Sequence, residues 1–394
     1  MKIFIGTADT AAVLSQIEIG LKKNGHEVTS LVTHHSHKFY NADYTYVYDP
    51  IGRLFPSYKI KSSFLKKIHH RLSVFFTRLK LNRNFTRIVD EHDVFIFIWK
   101  SLKKDYADYK TIQKKGKKII TIFLGSDVRH IPAYEKEFGL DFSAIDIGQS
   151  QDHLHEKLLF LRTAELYSNL VYSVPDQSSL AIRPYDHIFL PFNCDQIKCH
   201  IPNNNILKIL HAPSSKSLKG TNVIEQTIDR LILEGYPIEY KRLHNMKNDE
   251  VLKHLQEADI LVDELYLNGP GMLSNEAMAS GCVVLTKYLD EYSGVFPAPI
   301  ISVNKDTLYD KLKALVENRE EISIKAKEGR RFVETFLKPE LIAKHMLDKL
   351  SQPLAYDYVP NYYLNHRDQF IPEKNKKHLK DVEEQVISLY NKSK

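Results

Sequence analysis

Cysteine is scarce: only Cys194, Cys199 and Cys282 occur in 394 residues. Their spacing fits no zinc knuckle, so neither a disulfide framework nor a cysteine metal site is expected. No apolar run approaches the roughly 20 residues needed to cross a bilayer. The opening "MKIFIG" has one lysine and an apolar stretch too short for a signal-peptide core, so it reads as a first strand and points to the cytosol. After that strand the G-x-G-x-x-G fingerprint of a dinucleotide site is missing; only Gly6 stands there, which argues against a dehydrogenase. A D-x-D-type pair of metal ligands near a strand end is missing too. The last absence is of acid. From Lys59 to Val89 there are nine Lys or Arg and no Asp or Glu; with a net charge of +6 overall, the remainder of the chain sums to about −3. One basic segment, rather than a basic protein, needs explaining.

What is present is ordinary for a globular chain, with 43% hydrophobic and 26% charged residues, and 394 residues are too many for a single ordinary core. Two domains are expected. "KIFIGTA", "HEVTSLVT", "DVFIFIW", "KKIITIFLG" and "NLVYSVP" read as strands in the first half, with helices between them. "LKILHAP", "IEYKRLH", "DILVDEL" and "CVVLT" continue the rhythm in the second. Continuous apolar runs bounded by turns suit strands covered on both faces, the mark of a parallel sheet. Two tandem α/β sheets follow, with domains expected at 1–196 and 205–345. A Pro- and Asn-rich junction lies at 189–205, and a tyrosine- and proline-rich tail of 346–394 is expected to be helical and to pack back on the first domain. Such sheets bind ligands at the carboxyl ends of their strands.

One such end carries "NGPGMLSNEAMASGCVVLT", residues 268–286. Gly269 and Gly271 let the chain turn sharply and let a ligand approach bare amides. The helix that follows would aim its unpaired N–H groups and partial positive charge at an anion such as phosphate. Glu276, one to two turns in, suits the hydroxyls of a ribose, as acidic residues do in other nucleotide sites; a solvent-facing glutamate is the plain alternative. Upstream, "ILHAPSSKSLKGT" ends a strand in a loop with Ser215, Lys216, Lys219 and Gly220, where a lysine can balance a diphosphate or merely face water.

These stretches together resemble the donor half of nucleotide-sugar glycosyltransferases of family 4, over most of residues 205–290. The resemblance implies the GT-B fold, with two facing Rossmann-like parallel-sheet domains and an interdomain cleft. It implies that Lys219 binds the donor diphosphate and Glu276 its ribose, and that Asn268, Gly269, Gly271, Met272 and Leu273 hold phosphate and sugar. It also implies that the segment around His244 to Met246 frames the base. Asn268 stands where the family has a first glutamate, and Ser214 where it has an arginine, whose charge Lys216 would replace. In the first half, "IGTADTAAVLSQIEIGLKKNGHEVT" resembles the GT-B opening and places Gly6 and Thr7 on the donor side. "TIFLGSDVRH" resembles a family "T-x-H-G-x-D" stretch, with Asp127 on the aspartate and Leu124 in place of the histidine. Arg129 and His130 then lie on the acceptor side. The alternative for "GSDVRH" is a helix N-cap at Ser126 or Asp127.

The implied activity is a hexosyl- or related glycosyltransferase, retaining and metal-independent, with no cofactor beyond its nucleotide-sugar co-substrate. Asp127, Lys219 and Glu276 are the candidate catalytic residues, and the acceptor is a saccharide or lipid-linked saccharide. The setting would be bacterial capsule, lipopolysaccharide or exopolysaccharide synthesis. A GT-B sugar-nucleotide epimerase and a non-catalytic nucleotide-sugar-binding partner are the alternatives. Nucleic acid is not expected, because no binding module accompanies the basic segment. In "KSSFLKKIHHRLSVFFTRLKLNR" apolar residues recur at i, i+3 and i+4 with Lys66, Lys67, Arg71, Arg78 and Lys80 between them. Two readings stand for it: a peripheral contact with an anionic membrane at the inner face of the plasma membrane, or a helix with its greasy side in the core.

Overall fold

The computed structural model describes residues 1–33, 45–47, 60–103, 105–142, 154–174, 179–203, 205–289, 297–351, 356, 358, 362–370 and 376–391. Lys59, Asn204 and part of the tail lie outside them. The chain forms two compact units. The first takes in Met1–Phe138, Gln151–Ile188 and Ala343–Lys394; the second, Gly139–Ser150 and Phe189–Ile342.

Among the described residues the first unit is built on seven parallel strands: β1 (Lys2–Thr7), β2 (Glu27–Val32), β3 (Tyr46–Val47), β4 (Val94–Ile98), β5 (Lys118–Phe123), β6 (Leu170–Ser173) and β7 (Asp186–His187). Their order is β3-β2-β1-β4-β5-β6-β7, a doubly wound sheet whose strand order reverses between β1 and β4. The continuous apolar runs are explained by burial: all five residues of β4 are covered, as are the last five of β1 and β5. The helices around this sheet are α1 (Val13–Lys23), α2 (Ser63–Glu91), α3 (Ala107–Lys114), α4 (Ile131–Phe138) and α5 (Leu154–Tyr167). In α1, Val13, Leu14, Ile17 and Leu21 form the buried stripe that a 3.6-residue period dictates. In α2 only the second half supplies large apolar side chains to the core: Leu81, Phe85, Ile88 and Val89.

The C-terminal helices α13 (Tyr362–Phe370) and α14 (Lys376–Asn391) belong to this first unit. Helix α14 packs on α5, and the junction is ionic as well as apolar. The buried guanidinium of Arg162 bonds Glu165, the Leu180 carbonyl and Glu383 of α14. Glu383 also accepts from Tyr363 at 2.9 Å and from Arg367 at 2.5 Å.

Among its described residues the second unit has five parallel strands, β8 (Leu207–His211), β9 (Ile238–Arg242), β10 (Ile260–Val262), β11 (Val283–Thr286) and β12 (Ile301–Ser302). They are ordered β12-β11-β10-β8-β9, so the reversal falls between β8 and β10. Its helices are α6 (Lys216–Lys219), α7 (Thr221–Leu233), α8 (Asn248–Leu255), α9 (Met272–Ser280), α10 (Leu308–Glu317) and α11 (Arg319–Phe336), with α12 (Pro339–Ser351) beginning in this unit. Ile209, Ile224, Ile228, Ile260, Val262, Leu285 and Leu312 make up part of one core between sheet and helices. Helix α9 is buried along almost its whole length, which is why its sequence shows no polar face. The three cysteines are free thiols.

Candidate functional site

In the second unit, the carboxyl ends of β8, β9 and β10 present three loops, the first and third flanking the strand-order reversal. The loop after β8 runs through Ser215, at half-burial, and exposed Lys216 into the single turn α6, and ends at Lys219. Lys219 is largely covered, and its ammonium bonds the Asp263 carboxylate at the end of β10. Asp263 also accepts from Ser274 Oγ of α9 at 2.8 Å. Burial alone would push the Asp263 carboxyl up; the Lys219 charge and the two hydrogen bonds outweigh it and hold it below the ordinary carboxylate value. Asp263 and Glu264 likewise raise the Lys219 ammonium above its usual value against burial. The candidate diphosphate lysine thus already has a counter-ion. His211, fully buried at the end of β8, bridges the Val262 carbonyl at 2.8 Å and Thr221 Oγ1 at 2.9 Å, locking this loop to β10 and to α7.

The loop after β10 turns at Gly269–Gly271 into α9. Gly271 caps the helix in an extended conformation, φ −90° and ψ −177°, and among the described residues no side chain caps the first-turn amides. A Cβ on Gly271 would meet nothing within 4 Å, whereas one on Gly269 would sit 3.4 Å from the Gly271 amide. Neither backbone strain nor crowding demands glycine at 271. Met272 and Asn268 are buried, and Leu273 is half-buried. Three successive residues of α9 then tie it down: Ser274 to Asp263, Asn275 to the Leu190 carbonyl at 3.2 Å, and Glu276 to the side-chain amide of Asn248 at 2.8 Å. Glu276 is 2% exposed, so it is not a solvent-facing glutamate. Asn248 opens α8, directly after the loop of exposed His244 and half-buried Met246 that follows β9. The structure therefore joins Lys219 to Asp263 and Ser274, and joins Glu276 to the start of α8.

Asp263, Ser274, Asn248 and His211 are the residues that motif reasoning passed over. An acid immediately after an apolar strand was the one available signal, for Asp263. The pairing of Asn248 with Glu276 leaves none in the sequence.

In the first unit the geometry favours framework roles. Gly6 lies inside the sheet, where an added Cβ would come within 2.9 Å of the Leu31 carbonyl; Thr7 is buried and donates to the Lys100 carbonyl at 3.1 Å. Close packing thus accounts for both. Asp127 is buried, and its oxygens accept from the amides of Leu124 (3.2 Å) and Gly125 (2.8 Å), closing the loop after β5. It braces this turn ahead of α4, whose first residue is Ile131, and so caps no helix. Burial, only partly offset by these amides and by Arg129, pushes its carboxyl up to about 6. His130 is pulled down to about 4 by burial and by Lys157, whose ammonium bonds the Arg129 carbonyl. Arg129, half-buried, reaches over the Tyr134 ring at 5.9 Å.

No protein-family model and no curated protein matches the sequence. Solved structures do match in fold. Sucrose-phosphate synthase from Thermosynechococcus elongatus aligns over 89% of this chain and 98% of its own with a TM-score of 0.59 at 12% identity. HepE from Anabaena in complex with UDP-glucose aligns over 89% and 99%, TM-score 0.52, at 12% identity. WaaG, a glycosyltransferase involved in lipopolysaccharide biosynthesis, aligns over 88% and 99%, TM-score 0.51, at 12% identity. The fold is GT-B. At such identities the likeness carries the architecture alone, and the chemistry rests on the residues above.

Proposed function

We propose that the chain is a glycosyltransferase that moves a sugar from a nucleoside-diphosphate sugar to an acceptor hydroxyl. One observation carries the reading. At the carboxyl end of the second sheet, α9 starts from a glycine that neither conformation nor packing requires, with first-turn amides that no described side chain caps, and has the buried acid Glu276 further along. Open space at Gly271 beside bare amides suits a diphosphate, and an acid fixed in place suits the two hydroxyls of a pentose. HepE, which has the same architecture, was crystallised with UDP-glucose.

In this reading the diphosphate leaving group gathers negative charge as the glycosidic bond breaks. The amides after Gly271 would stabilise that charge without reorganising, as fixed dipoles do. Lys219 commits one of its three N–H donors to Asp263 and keeps others for a phosphate oxygen, while Lys216 adds a solvated charge. Asn268 and the Gly269–Gly271 turn would lie along the sugar, and His244 and Met246 along the base. Retention of configuration follows if the departing phosphate oxygen takes the acceptor proton on the face it leaves, which needs no side-chain base. Asp127, with its oxygens engaged by its own loop, then serves to hold Arg129 and His130 on the acceptor side. A role in surface polysaccharide or glycolipid synthesis completes the proposal.

The test is a thermal-shift screen of UDP, GDP, ADP and CMP with their sugar conjugates, followed by turnover of the best stabiliser with and without saccharide acceptors. Acceptor-dependent nucleotide release is expected, and Glu276→Ala should remove the stabilisation. Epimer formed without acceptor would replace the transferase with an epimerase. Binding without turnover would leave a binding partner, and no stabilisation by any nucleotide would overturn the site.

A further inference from the structure

Helix α2 carries two faces, and only one of them is used. At about 100° per residue, its buried Ser73, Thr77, Leu81 and Ile88 fall on one side and face the body of the first unit. Phe64, Leu65, Ile68, Leu72, Phe75, Phe76 and Leu79 fall within an arc of roughly 120° on the opposite side, and all are exposed, from 39% for Ile68 to 68% for Phe64. The core-facing alternative for these residues is thus excluded: the greasy stripe points away from the protein. Seven large apolar side chains on one helix face exceed the scattered exposure normal for a monomer.

The charges decide what fits there. Lys67, Arg71 and Arg78 flank the arc on one side and Lys80 on the other, all exposed; Lys66, also exposed, lies further round the helix. Among the described residues no ion pair engages Lys66, Lys67, Arg71 or Arg78, and the helix has no acid before Asp90. The stretch from Phe64 to Leu79 is a convex ridge about 24 Å long at 1.5 Å per residue. A second copy of this chain would bring two sets of like charges together around the apolar contact. A plane of anionic headgroups over acyl chains accepts both features at once: apolar side chains below the phosphates, cations among them. No helix among the described residues is long and apolar enough to cross a membrane; this one would lie along it.

We infer that the Phe64–Leu79 face of α2 is a docking surface for an anionic lipid bilayer. The experiment is flotation of the full-length chain with vesicles of phosphatidylcholine alone and with about one-third phosphatidylglycerol. Binding to the anionic vesicles is expected, at least about tenfold stronger than to neutral ones and weakened by salt. Two exposed-residue variants test the two halves of the argument: Phe64→Ser/Leu72→Ser/Phe75→Ser, and Lys67→Gln/Arg71→Gln/Arg78→Gln. Each should lose about tenfold or more in partitioning while keeping the wild-type unfolding temperature. Failure to float, equal flotation with both vesicles, or undiminished binding by the variants overturns the inference. A self-association seen by sedimentation and abolished by the serine variant would give the face to a second copy and overturn it as well.

Discussion

Asn248 donates its side-chain amide to Glu276 Oε1 at 2.8 Å, linking the first residue of α8 to the middle of α9. The acid proposed to hold the ribose is therefore aimed by a residue on a different helix. If Glu276 binds hydroxyls, Asn248→Ala removes this anchor without removing the carboxylate, and nucleotide affinity should fall about 10- to 150-fold, the equivalent of about 1.5–3 kcal/mol for a lost hydrogen bond to a charged group. Glu276→Ala should lose binding altogether. Titration calorimetry of both variants with the best nucleotide makes the comparison. Equal affinities for Asn248→Ala and the wild type would detach Asn248 from the site.

Gly271 supports a sharper test, because the fold has no stake in it. Its φ and ψ suit any residue, and an added Cβ meets nothing within 4 Å. Gly271→Ala should leave stability within about 0.5 kcal/mol of wild type, while a methyl group over the first-turn amides should weaken diphosphate binding at least tenfold. Thermal unfolding with and without nucleotide separates the two effects. Unchanged ligand stabilisation would mean that no phosphate comes near this helix start.

The strands were legible because parallel strands buried on both faces need unbroken apolar runs, and "VFIFI" and "KIITIF" meet that need without help from the rest of the chain. The two-residue strands β3, β7 and β12 were not legible, being too short to show a period. Glycine turns and Glu276 stood out since their chemistry is local. Asp263 and Asn248 did not, because each acquires its partner only by folding, across 44 and 28 residues respectively. For the same reason the pattern of α2 could not choose between core and surface: periodicity says that a helix has an apolar side, and tertiary packing alone says which way that side faces.

The Lys219–Asp263 pair lies largely out of water, and its energetics follow from that. Lys219→Met would strip the buried Asp263 carboxylate of its paired cation, and Asp263→Leu would leave the Lys219 ammonium without its bonded anion, with only Glu264 nearby. Each should cost about 3–5 kcal/mol. The double variant removes both charges together and should cost well under the sum of the singles, since the desolvation penalty disappears with them. Chemical denaturation of the four proteins closes this cycle. Additive costs would show that the two side chains do not depend on each other. In the proposed site the double variant, although the most stable of the three variants, should still bind nucleotide poorly, because the diphosphate has lost its lysine.

Two buried groups should tilt the stability profile in opposite directions with pH. Asp127, lifted by burial from 3.8 to about 6, holds its proton in the folded chain where the unfolded chain has released it. Its contribution therefore grows as pH falls from about 6 towards 3.8, and is absent at pH 7. His211, lowered chiefly by burial from 6.5 to about 4, stays neutral in the fold while the unfolded chain takes up a proton. Its contribution is complete above 6.5 and is lost as pH falls towards 4. Between pH 7 and pH 5 each change should amount to about 1–2 kcal/mol. Asp127→Asn should then be more damaging at pH 5 than at pH 7, and His211→Asn more damaging at pH 7 than at pH 5. Urea unfolding of both variants and the wild type at the two pH values gives the signs directly. Matching signs for the two substitutions would mean that burial does not govern one of these groups. For His211 that would undo the picture of a neutral ring bridging Val262 and Thr221, and with it the rigid loop on which Lys216 and Lys219 are carried.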